Sequence, residues 1–280
     1  MKEKSKSSII ILLFIIFIMV SFLRADVRNK PEKSNIFKDI LDDEIAIWTS
    51  PAHLKAKDLL FWVPVITTTL IIIANDENIY AKFQDFKDNN KWVQNLSPQI
   101  TKLGDGWSSI FVSGAFYLGG LAFKNERAKE TAKLGLEVLV HTGIVVQVGK
   151  HLSGRSRPGA TDGVDHWYGP SAFFKRYNEG FTKYDAFPSG HTITVWGMAT
   201  VIAEEYKNKP YIPVLSYTLA TLAGLSRVTE QAHWLSDVFL GAVLGHTIAK
   251  FIIKRDRNRH LMVNPYVSPH GIKLELTYSF

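Results

Sequence analysis

The sequence contains no cysteine, and this excludes three kinds of protein chemistry. A disulfide scaffold, a cysteine nucleophile and a thiolate metal site are all ruled out. Acidic residues are in the minority, with 26 Asp and Glu against 33 Lys and Arg and a net charge of +7. That balance suits nucleic acid, an anionic membrane or a phosphorylated substrate. Because the basic residues are dispersed at predicted helix ends and form no stripe, binding of nucleic acid is not expected.

Uninterrupted apolar runs of membrane-spanning length are lacking beyond the N-terminus. Most of six apolar segments are free of charge for only 12 to 17 residues, whereas a spanning helix needs about 20. They are too long for strands, so they predict helices. The segments are Leu59–Ala74, Trp107–Phe123, Leu134–Val148, Thr192–Ala203, Tyr211–Leu225 and Val238–Ile253. The predicted fold is all-α, a helical bundle of about six core helices that is either soluble or embedded in a membrane.

The N-terminus has the pattern of an export signal. Lys2, Lys4 and Lys6 precede the apolar run Ile9–Val20, and the small residue Ala25 follows. This pattern predicts that residues 1–25 are a signal peptide or an uncleaved signal anchor. Either form exports the residues that follow.

The rest of the chain divides by composition into three parts. Residues 26–57 are polar and predict an N-terminal arm with one short amphipathic helix near Ile36–Trp48. Residues 58–256 hold the six apolar segments and form the predicted helical domain. In residues 257–280, apolar and polar residues alternate from Ile272 to Phe280 after a Ser-Pro-His-Gly turn. This alternation predicts a short C-terminal β-hairpin packed on the helices, with its final strand half-buried.

Basic residues cluster in the connections at one end of the predicted bundle. The clusters are Lys124, Arg127, Lys129 and Lys133; Lys207 and Lys209; and Lys250, Lys254, Arg255, Arg257 and Arg259. If the helices cross a membrane, the positive-inside rule makes this end cytoplasmic. Six spans in that orientation put residue 58 inside, whereas a signal segment delivers residue 26 outside. Two readings stay open: the first helix does not span, or the domain lies beyond the membrane.

Three polar motifs occur where the predicted helices end on the other side of the bundle. They are Lys150 to Pro158, Pro188 to His191, and Ser226 to Asp237. Arginines 157 and 227 are suited to bidentate bonds with phosphoryl oxygens, and Lys150 adds a compact charge. Ser189 and Gly190 open a helix, where backbone N–H groups and the helix dipole attract an anion.

Two histidines complete this set. His233 and Asp237 are four residues apart and therefore share a helical face. A carboxylate bonded to one imidazole nitrogen fixes the tautomer and leaves the other nitrogen free as a nucleophile. His191, from the facing helix, is positioned to donate a proton to a leaving oxygen.

Together the motifs read Lys-x6-Arg-Pro, Pro-Ser-Gly-His and Ser-Arg-x5-His-x3-Asp. This order resembles the signature of the type 2 phosphatidic acid phosphatase superfamily, which includes bacterial nonspecific acid phosphatases and vanadium haloperoxidases. The resemblance implies an all-helical fold and phosphomonoester hydrolysis without metal or cofactor, through a phosphohistidine. It implies His233 as the nucleophile, Asp237 as its orienting partner and His191 as acid and later base. Phosphate binding then falls to Lys150, Arg157, Ser189, Gly190 and Arg227.

The expected substrate is a phosphorylated lipid or a small phosphate ester, hydrolysed in the bacterial cell envelope with the site facing the periplasm. Three alternatives remain: a vanadium-dependent haloperoxidase, a soluble periplasmic acid phosphatase, and a non-catalytic membrane or scaffold protein. Retention of all three catalytic residues argues against the last of these.

Two further features stand outside the motifs. Glu137 and His141, four apart on a predicted helix, are suited to share a metal, but no third ligand is evident and a buried hydrogen-bonded pair is expected. The connection Gly159–Phe187 carries eight aromatic residues. These rings predict either a lid that selects the substrate or simple packing of the loop.

Overall fold

The computed structural model describes residues 36–49, 55–180, 182–268 and 271–278. Side chains are described for these residues except 36, 37, 176 and those after 259. The predicted signal segment, residues 1–25, lies outside the described residues, as do Phe181 and parts of the predicted arm.

Nine α-helices make up most of the described chain. They are α1 Ile36–Thr49, α2 Ala56–Asp88, α3 Lys91–Ile100, α4 Gly106–Ala122, α5 Glu126–Ser153, α6 Ala172–Glu179, α7 Gly190–Glu205, α8 Tyr211–Thr229 and α9 Leu235–His260. Each of the six apolar segments falls in one of these helices, with Phe123 just beyond the end of α4. Helix α1 confirms the short helix predicted near Ile36–Trp48. The all-α class is therefore confirmed. Helices α3 and α6 were not predicted.

Helices α7 and α9 form the centre of the bundle. They pack against each other, and α2, α4, α5 and α8 surround them. Glycines allow the close approach, because a Cβ on Gly245 would lie 2.3 Å from the carbonyl oxygen of Ile193. Leu240, Leu244 and Ile248 of α9 are fully buried in the core beside them. The two helices that begin with motif residues are thus the most firmly held.

Alternating helix directions bring the motifs to one end of this bundle. Helix α5 ends there at Ser153, and Gly154 terminates it in the left-handed conformation with φ of 53°. Helix α7 begins at the same end and α8 finishes there, immediately before α9 begins. The opposite end holds α1, whose Asp43 pairs with Arg255 and Arg259 near the end of α9.

The prediction of a β-hairpin as part of the packed fold is wrong. The body of the protein is helical and contains no sheet among the described residues up to 260, four residues into the segment assigned to the hairpin. The strands β1 Leu261–Ser268 and β2 Gly271–Tyr278 follow this body and pair only with each other. A lone two-stranded ribbon is marginal in water, and a helical bundle offers it no sheet edge to extend. Alternation in the sequence therefore predicted local strand pairing but no sheet within the helical body.

Among the described residues, three helices are long and apolar enough to cross a membrane, which corrects the expectation from the short apolar runs. They are α2, α5 and residues Leu235–Arg259 of α9. Polar turns extend each apolar run to spanning length. Large apolar side chains also face outward, among them Leu60 of α2, Phe111 of α4 and Val214 of α8. Such outward apolar faces are typical of contact with lipid, and they support association with a membrane.

Candidate active site

All eight residues predicted from the motifs lie at the same end of the bundle. His233 is buried, and Lys150, Arg157, Arg227 and His191 lie close enough for their charges to act on it. The other three predicted residues are joined to this group through the backbone. The main-chain N–H of Ser189 donates to the carbonyl of Asp237 at 3.1 Å, and a Cβ on Gly190 would lie 3.8 Å from the Lys150 ammonium.

The imidazole of His233 is held by a main-chain carbonyl. Its Nδ1 lies 2.7 Å from the oxygen of Ala186 and 3.5 Å from Oδ2 of Asp237. Because a carbonyl only accepts, Nδ1 carries the hydrogen and Nε2 keeps its lone pair. Burial, together with the nearby cations, lowers the pKa of His233 well below its usual value. The residue is therefore a neutral imidazole with one nucleophilic nitrogen.

Asp237 is engaged mainly by other groups. Its Oδ1 accepts a 2.5 Å bond from Arg155, and its Oδ2 accepts a 2.8 Å bond from the main-chain N–H of Trp234. The predicted orienting contact with His233 is thus the longer one at this carboxylate. Asp237 fixes the first turn of α9, and with it the position of His233.

Arg155, which lies between the two predicted cations of the first motif, is fully buried and fully bonded. Its guanidinium donates to Asp237, Ser236, Asp76 and both oxygens of Asp165. The guanidinium also lies 4.4 Å from the ring of Trp167 and 5.2 Å from that of Trp234. With every N–H direction used, Arg155 ties α2, α9 and the long connection together and is not available to a ligand.

A single carboxylate joins the other two cations of this motif. Asp185 accepts from Lys150 at 3.0 Å and from Arg157 at 2.7 and 3.1 Å. Burial raises the pKa of Asp185, but the hydrogen bonds and charges of Arg157 and Lys150 outweigh it, so the net pKa is lowered. Asp185 is ionised and oriented toward Lys150 and Arg157, two of the residues predicted to bind phosphate.

The third cation and the second histidine lie on the opposite wall. Arg227 donates to the hydroxyl of Thr101 at 2.6 Å, while its Nε is buried and bonds to no described residue. His191 Nε2 is 2.5 Å from Oδ1 of Asp105. Burial and then the charge of Arg227 lower the pKa of His191 to about 4, against the opposing effect of Asp105. His191 is therefore neutral at pH 7 in this substrate-free site.

Ser189 and Gly190 form the N-terminus of α7. The Ser189 hydroxyl caps this helix, accepting from the main-chain N–H of Thr192 at 3.4 Å and from its hydroxyl at 2.9 Å. Ser189 is fully buried, so its main observed role is to fix the helix start. The free N–H groups of this first turn face the same end of the bundle as Lys150.

The aromatic connection divides into packed and exposed rings. Phe187 and Tyr184 are buried, and the ring of Trp167 lies 5.2 Å from that of Phe187. Phe173 and Phe174, on α6, are mostly exposed. Packing therefore accounts for the inner rings, while α6 presents an apolar surface near the site.

Sequence reasoning missed Asp76, Asp105, Thr101, Asp165, Asp185 and Ala186. Asp185 and Ala186 come shortly before the Pro-Ser-Gly-His motif, and Asp76 is one of two adjacent acidic residues just after an apolar run. These positions were weak signals, because only tertiary contacts give them partners.

Comparison with known proteins finds a family match for the part of the chain that carries the motifs. The model of the PAP2 superfamily matches residues 132–260. A lipid A 1-phosphatase of Porphyromonas gingivalis is 28% identical over 198 residues, covering 65% of this chain and 35% of that protein. A lipid A 1-phosphatase of Rhizobium johnstonii is 28% identical over 164 residues, covering 55% of this chain and 64% of that protein. The chain thus spans less than two thirds of the length of these relatives.

A non-specific acid phosphatase of Providencia stuartii is 25% identical over 215 residues, covering 76% of this chain and 75% of that protein. Among solved structures, Aquifex aeolicus LpxE aligns with a TM-score of 0.47 at 20% identity, covering 63% of this chain and 93% of that one. A PAP2 type phosphatidylglycerolphosphate phosphatase from Bacillus subtilis aligns with a TM-score of 0.49 at 19% identity, covering 69% and 94%. Residues 132–260, which carry all three motifs, are the part of the chain that matches the PAP2 superfamily.

Proposed function

We propose that this protein is a phosphatase that hydrolyses a phosphomonoester or pyrophosphate of a lipid through a phosphohistidine intermediate. The observation that carries the proposal is the state of His233, a buried neutral imidazole whose Nδ1 is bonded to Ala186 and whose Nε2 is free beside three cations. That arrangement is suited to attack on an anionic phosphorus centre.

The three cations hold the phosphoryl oxygens. Lys150 and Arg157 move from Asp185 to the phosphate, and Arg227 supplies its unbonded Nε. The N-terminal turn of α7 at Ser189 and Gly190 adds main-chain N–H donors. These donors stabilise the additional negative charge of the five-coordinate transition state.

The first chemical step transfers the phosphoryl group to the protein. Nε2 of His233 attacks phosphorus, and the bond from phosphorus to the lipid oxygen breaks. His191 donates a proton to that oxygen so that it leaves as an alcohol, or as a phosphate when the substrate is a pyrophosphate. Since the bound phosphate brings negative charge next to His191, it raises the low pKa of this residue and allows it to carry the proton.

The second step releases phosphate. Neutral His191 takes a proton from water while the water oxygen attacks phosphorus, the P–N bond breaks, and its electron pair returns to Nε2 of His233. Inorganic phosphate leaves, and His191 loses the proton to solvent before the next cycle. No metal ion takes part in these steps.

Two observations support a lipid substrate. Two relatives are named as lipid A 1-phosphatases, and apolar side chains face outward on α2, α4 and α8. Two further apolar rings, Phe173 and Phe174, are exposed on α6. The relative named as a non-specific acid phosphatase supports the second candidate, hydrolysis of small soluble esters. We place the site on the outer side of the cytoplasmic membrane, because the basic clusters lie at the opposite end.

The test is to trap the intermediate with the full chain purified in detergent and a ³²P-labelled phosphate ester. After rapid quenching, the wild type is expected to carry an alkali-stable, acid-labile label, as phosphohistidine does. His233→Ala removes the label and lowers turnover by at least about 10³-fold. His191→Ala accumulates label with p-nitrophenyl phosphate, whose good leaving group needs no acid but whose intermediate still needs a base.

The exposed His166 provides the control, because His166→Ala changes neither label nor turnover. A label that persists in His233→Ala rules out the mechanism. Equal kcat/KM for a lipid phosphate and p-nitrophenyl phosphate rules out the lipid preference. If the protein hydrolyses no phosphate ester but oxidises halide in the presence of vanadate and peroxide, it is a haloperoxidase.

A further inference from the structure

A second polar cluster lies toward the other end of the bundle. It consists of Asp43 of α1 and of Glu137 and His141 of α5, all three buried. One carboxylate or imidazole ligand atom from each residue lies within 4.8 Å of those of the other two. Along α5, His141 is nine residues before Lys150, or roughly 13 Å of helix. The cluster is therefore separate from the active site.

Several atoms of this cluster are buried without a hydrogen bond to any described residue. They are Nε2 of His141, both carboxylate oxygens of Glu137, and Oδ2 of Asp43. Burying a polar atom without a partner costs about 1–3 kcal/mol or more. Four such atoms converging in one place are uncommon in a folded protein and indicate a missing partner.

Neighbouring groups orient these atoms in the way that metal ligands are oriented. Nδ1 of His141 is 2.5 Å from Oε2 of Glu44, whose Oε1 accepts from Trp48. A carboxylate at Nδ1 holds the proton there and leaves the Nε2 lone pair for a metal. Oδ1 of Asp43 accepts from Arg255 and Arg259, which fixes the carboxylate so that Oδ2 is the unbonded atom.

Charge also favours a cation at this place. The carboxylates of Asp43, Glu44 and Glu137 face the guanidiniums of Arg255 and Arg259, with Arg259 also 3.6 Å from Glu137. Three carboxylates thus face two guanidiniums, and Arg259 also contacts Asp39 at 3.7 Å. A divalent ion reverses this imbalance and supplies the missing partner for all of the unbonded atoms.

We propose that Asp43, Glu137 and His141 bind one divalent transition-metal ion of the zinc class, which fastens α1 to α5. Two oxygens and one imidazole nitrogen suit zinc or cobalt better than magnesium or calcium, which take oxygen ligands. In a tetrahedral zinc site with bonds of about 2.0–2.2 Å, ligand atoms are ~3.4 Å apart. The ligand atoms of the three side chains, all within 4.8 Å of one another, come to this spacing by small side-chain rotations. The ion is structural and takes no part in the phosphatase reaction proposed above.

The experiment titrates the full chain, stripped of metal in detergent, with Co²⁺ and records the visible absorption spectrum. One Co²⁺ per chain is expected to bind with a tetrahedral d–d spectrum, and one equivalent of Zn²⁺ is expected to displace it. Zinc also raises the unfolding temperature, because it binds only the folded state.

Matched variants separate this site from nonspecific binding. Glu137→Gln and His141→Gln remove ligands and abolish the spectrum, whereas Glu130→Gln, two turns earlier on α5, retains it. If a buried variant fails to fold, Asp43→Asn on the peripheral α1 gives the same test. Absence of the cobalt spectrum in the folded wild type, or its survival in the ligand variants, overturns the proposal. Phosphohistidine labelling of the metal-free chain tests the proposed phosphatase function separately. Failure of the metal proposal is therefore distinguishable from failure of the proposed function.

Discussion

His233 takes its orientation from a residue that carries no functional side chain. The i, i+4 spacing from Asp237 predicted a direct imidazole–carboxylate bond, but the carbonyl of Ala186 makes the shorter contact. Ala186 reaches this position because its chain segment pairs with the first motif: its N–H donates to Arg155, and Arg157 donates to Lys183. Such pairing depends on the return of a long connection, so local spacing predicted that His233 lies near Asp237 but not that the carbonyl of Ala186 holds the imidazole.

The pH dependence of the reaction offers a test at the same scale. Asp105 raises the pKa of His191, while burial and Arg227 lower it, with a net value of about 4. Asp105→Asn removes the raising effect, so the pKa falls further. If protonated His191 is the acid, the alkaline limb of the kcat/KM profile moves to lower pH and activity at pH 6 falls.

The measurement is kcat/KM against pH, with Asp162→Asn, an exposed carboxylate outside the site, as the control. The substrate phosphate also ionises near pH 6, but the variant leaves that ionisation unchanged. A limb that stays in place in Asp105→Asn excludes His191 as the group that controls it.

At the scale of the element, apolar runs predicted where helices exist but not where they end. The run Leu59–Ala74 belongs to α2, a helix that extends to Asp88 because its polar last turns bond to the end of α8 through Gln84 and Lys87. Asp76, in this extension, binds Arg155. Contacts of this kind are set by tertiary structure, so a hydropathy pattern carries no sign of them.

The site depends most on the contact between helices α7 and α9. Gly245→Ala places a Cβ 2.3 Å from the Ile193 carbonyl and 3.0 Å from the Gly197 nitrogen. The helices must separate, and we expect a loss of about 1–3 kcal/mol in unfolding free energy. Because α7 and α9 begin with the motif residues, turnover falls as well.

Gly114→Ala on α4 is the matched control, because a Cβ there meets nothing within 4 Å. Higher helix propensity makes this change neutral or stabilising by up to about 1 kcal/mol. Thermal unfolding of both variants in detergent checks the prediction. Equal unfolding temperatures for the two mean that the helices do not pack as closely as described.

At the scale of the whole molecule, the structure sharpens a conflict that the sequence left open. Helix α1 lies at the end that carries the basic clusters, since Asp43 pairs with Arg255 and Arg259. If that end is cytoplasmic, α1 is cytoplasmic too, and residues 1–25 do not deliver the chain directly after them to the outside. The positive-inside orientation and export of residue 26 therefore exclude each other.

Because the chain has no cysteine, single cysteines report this orientation without background. Lys183→Cys lies near the site, and Lys209→Cys lies at the opposite end, both exposed. In cells with a permeabilised outer membrane, we expect an impermeant maleimide to label position 183 and to reach position 209 only after lysis. The reverse pattern would show that the active site faces the cytoplasm. Labelling of both positions before lysis would show that the bundle does not span the membrane.

The carboxylate of Asp185 gives the proposed phosphate site a built-in counter-ion. A bound anion must therefore take Lys150 and Arg157 from a carboxylate that remains attached to the chain. A monovalent anion gains little by replacing a carboxylate already in bidentate contact with Arg157. A phosphate dianion brings twice the charge and three oxygens. The pocket therefore selects a dianion over a monovalent anion, whichever alcohol carries the phosphate. Chloride or acetate at cellular concentrations does not block the binding of substrate.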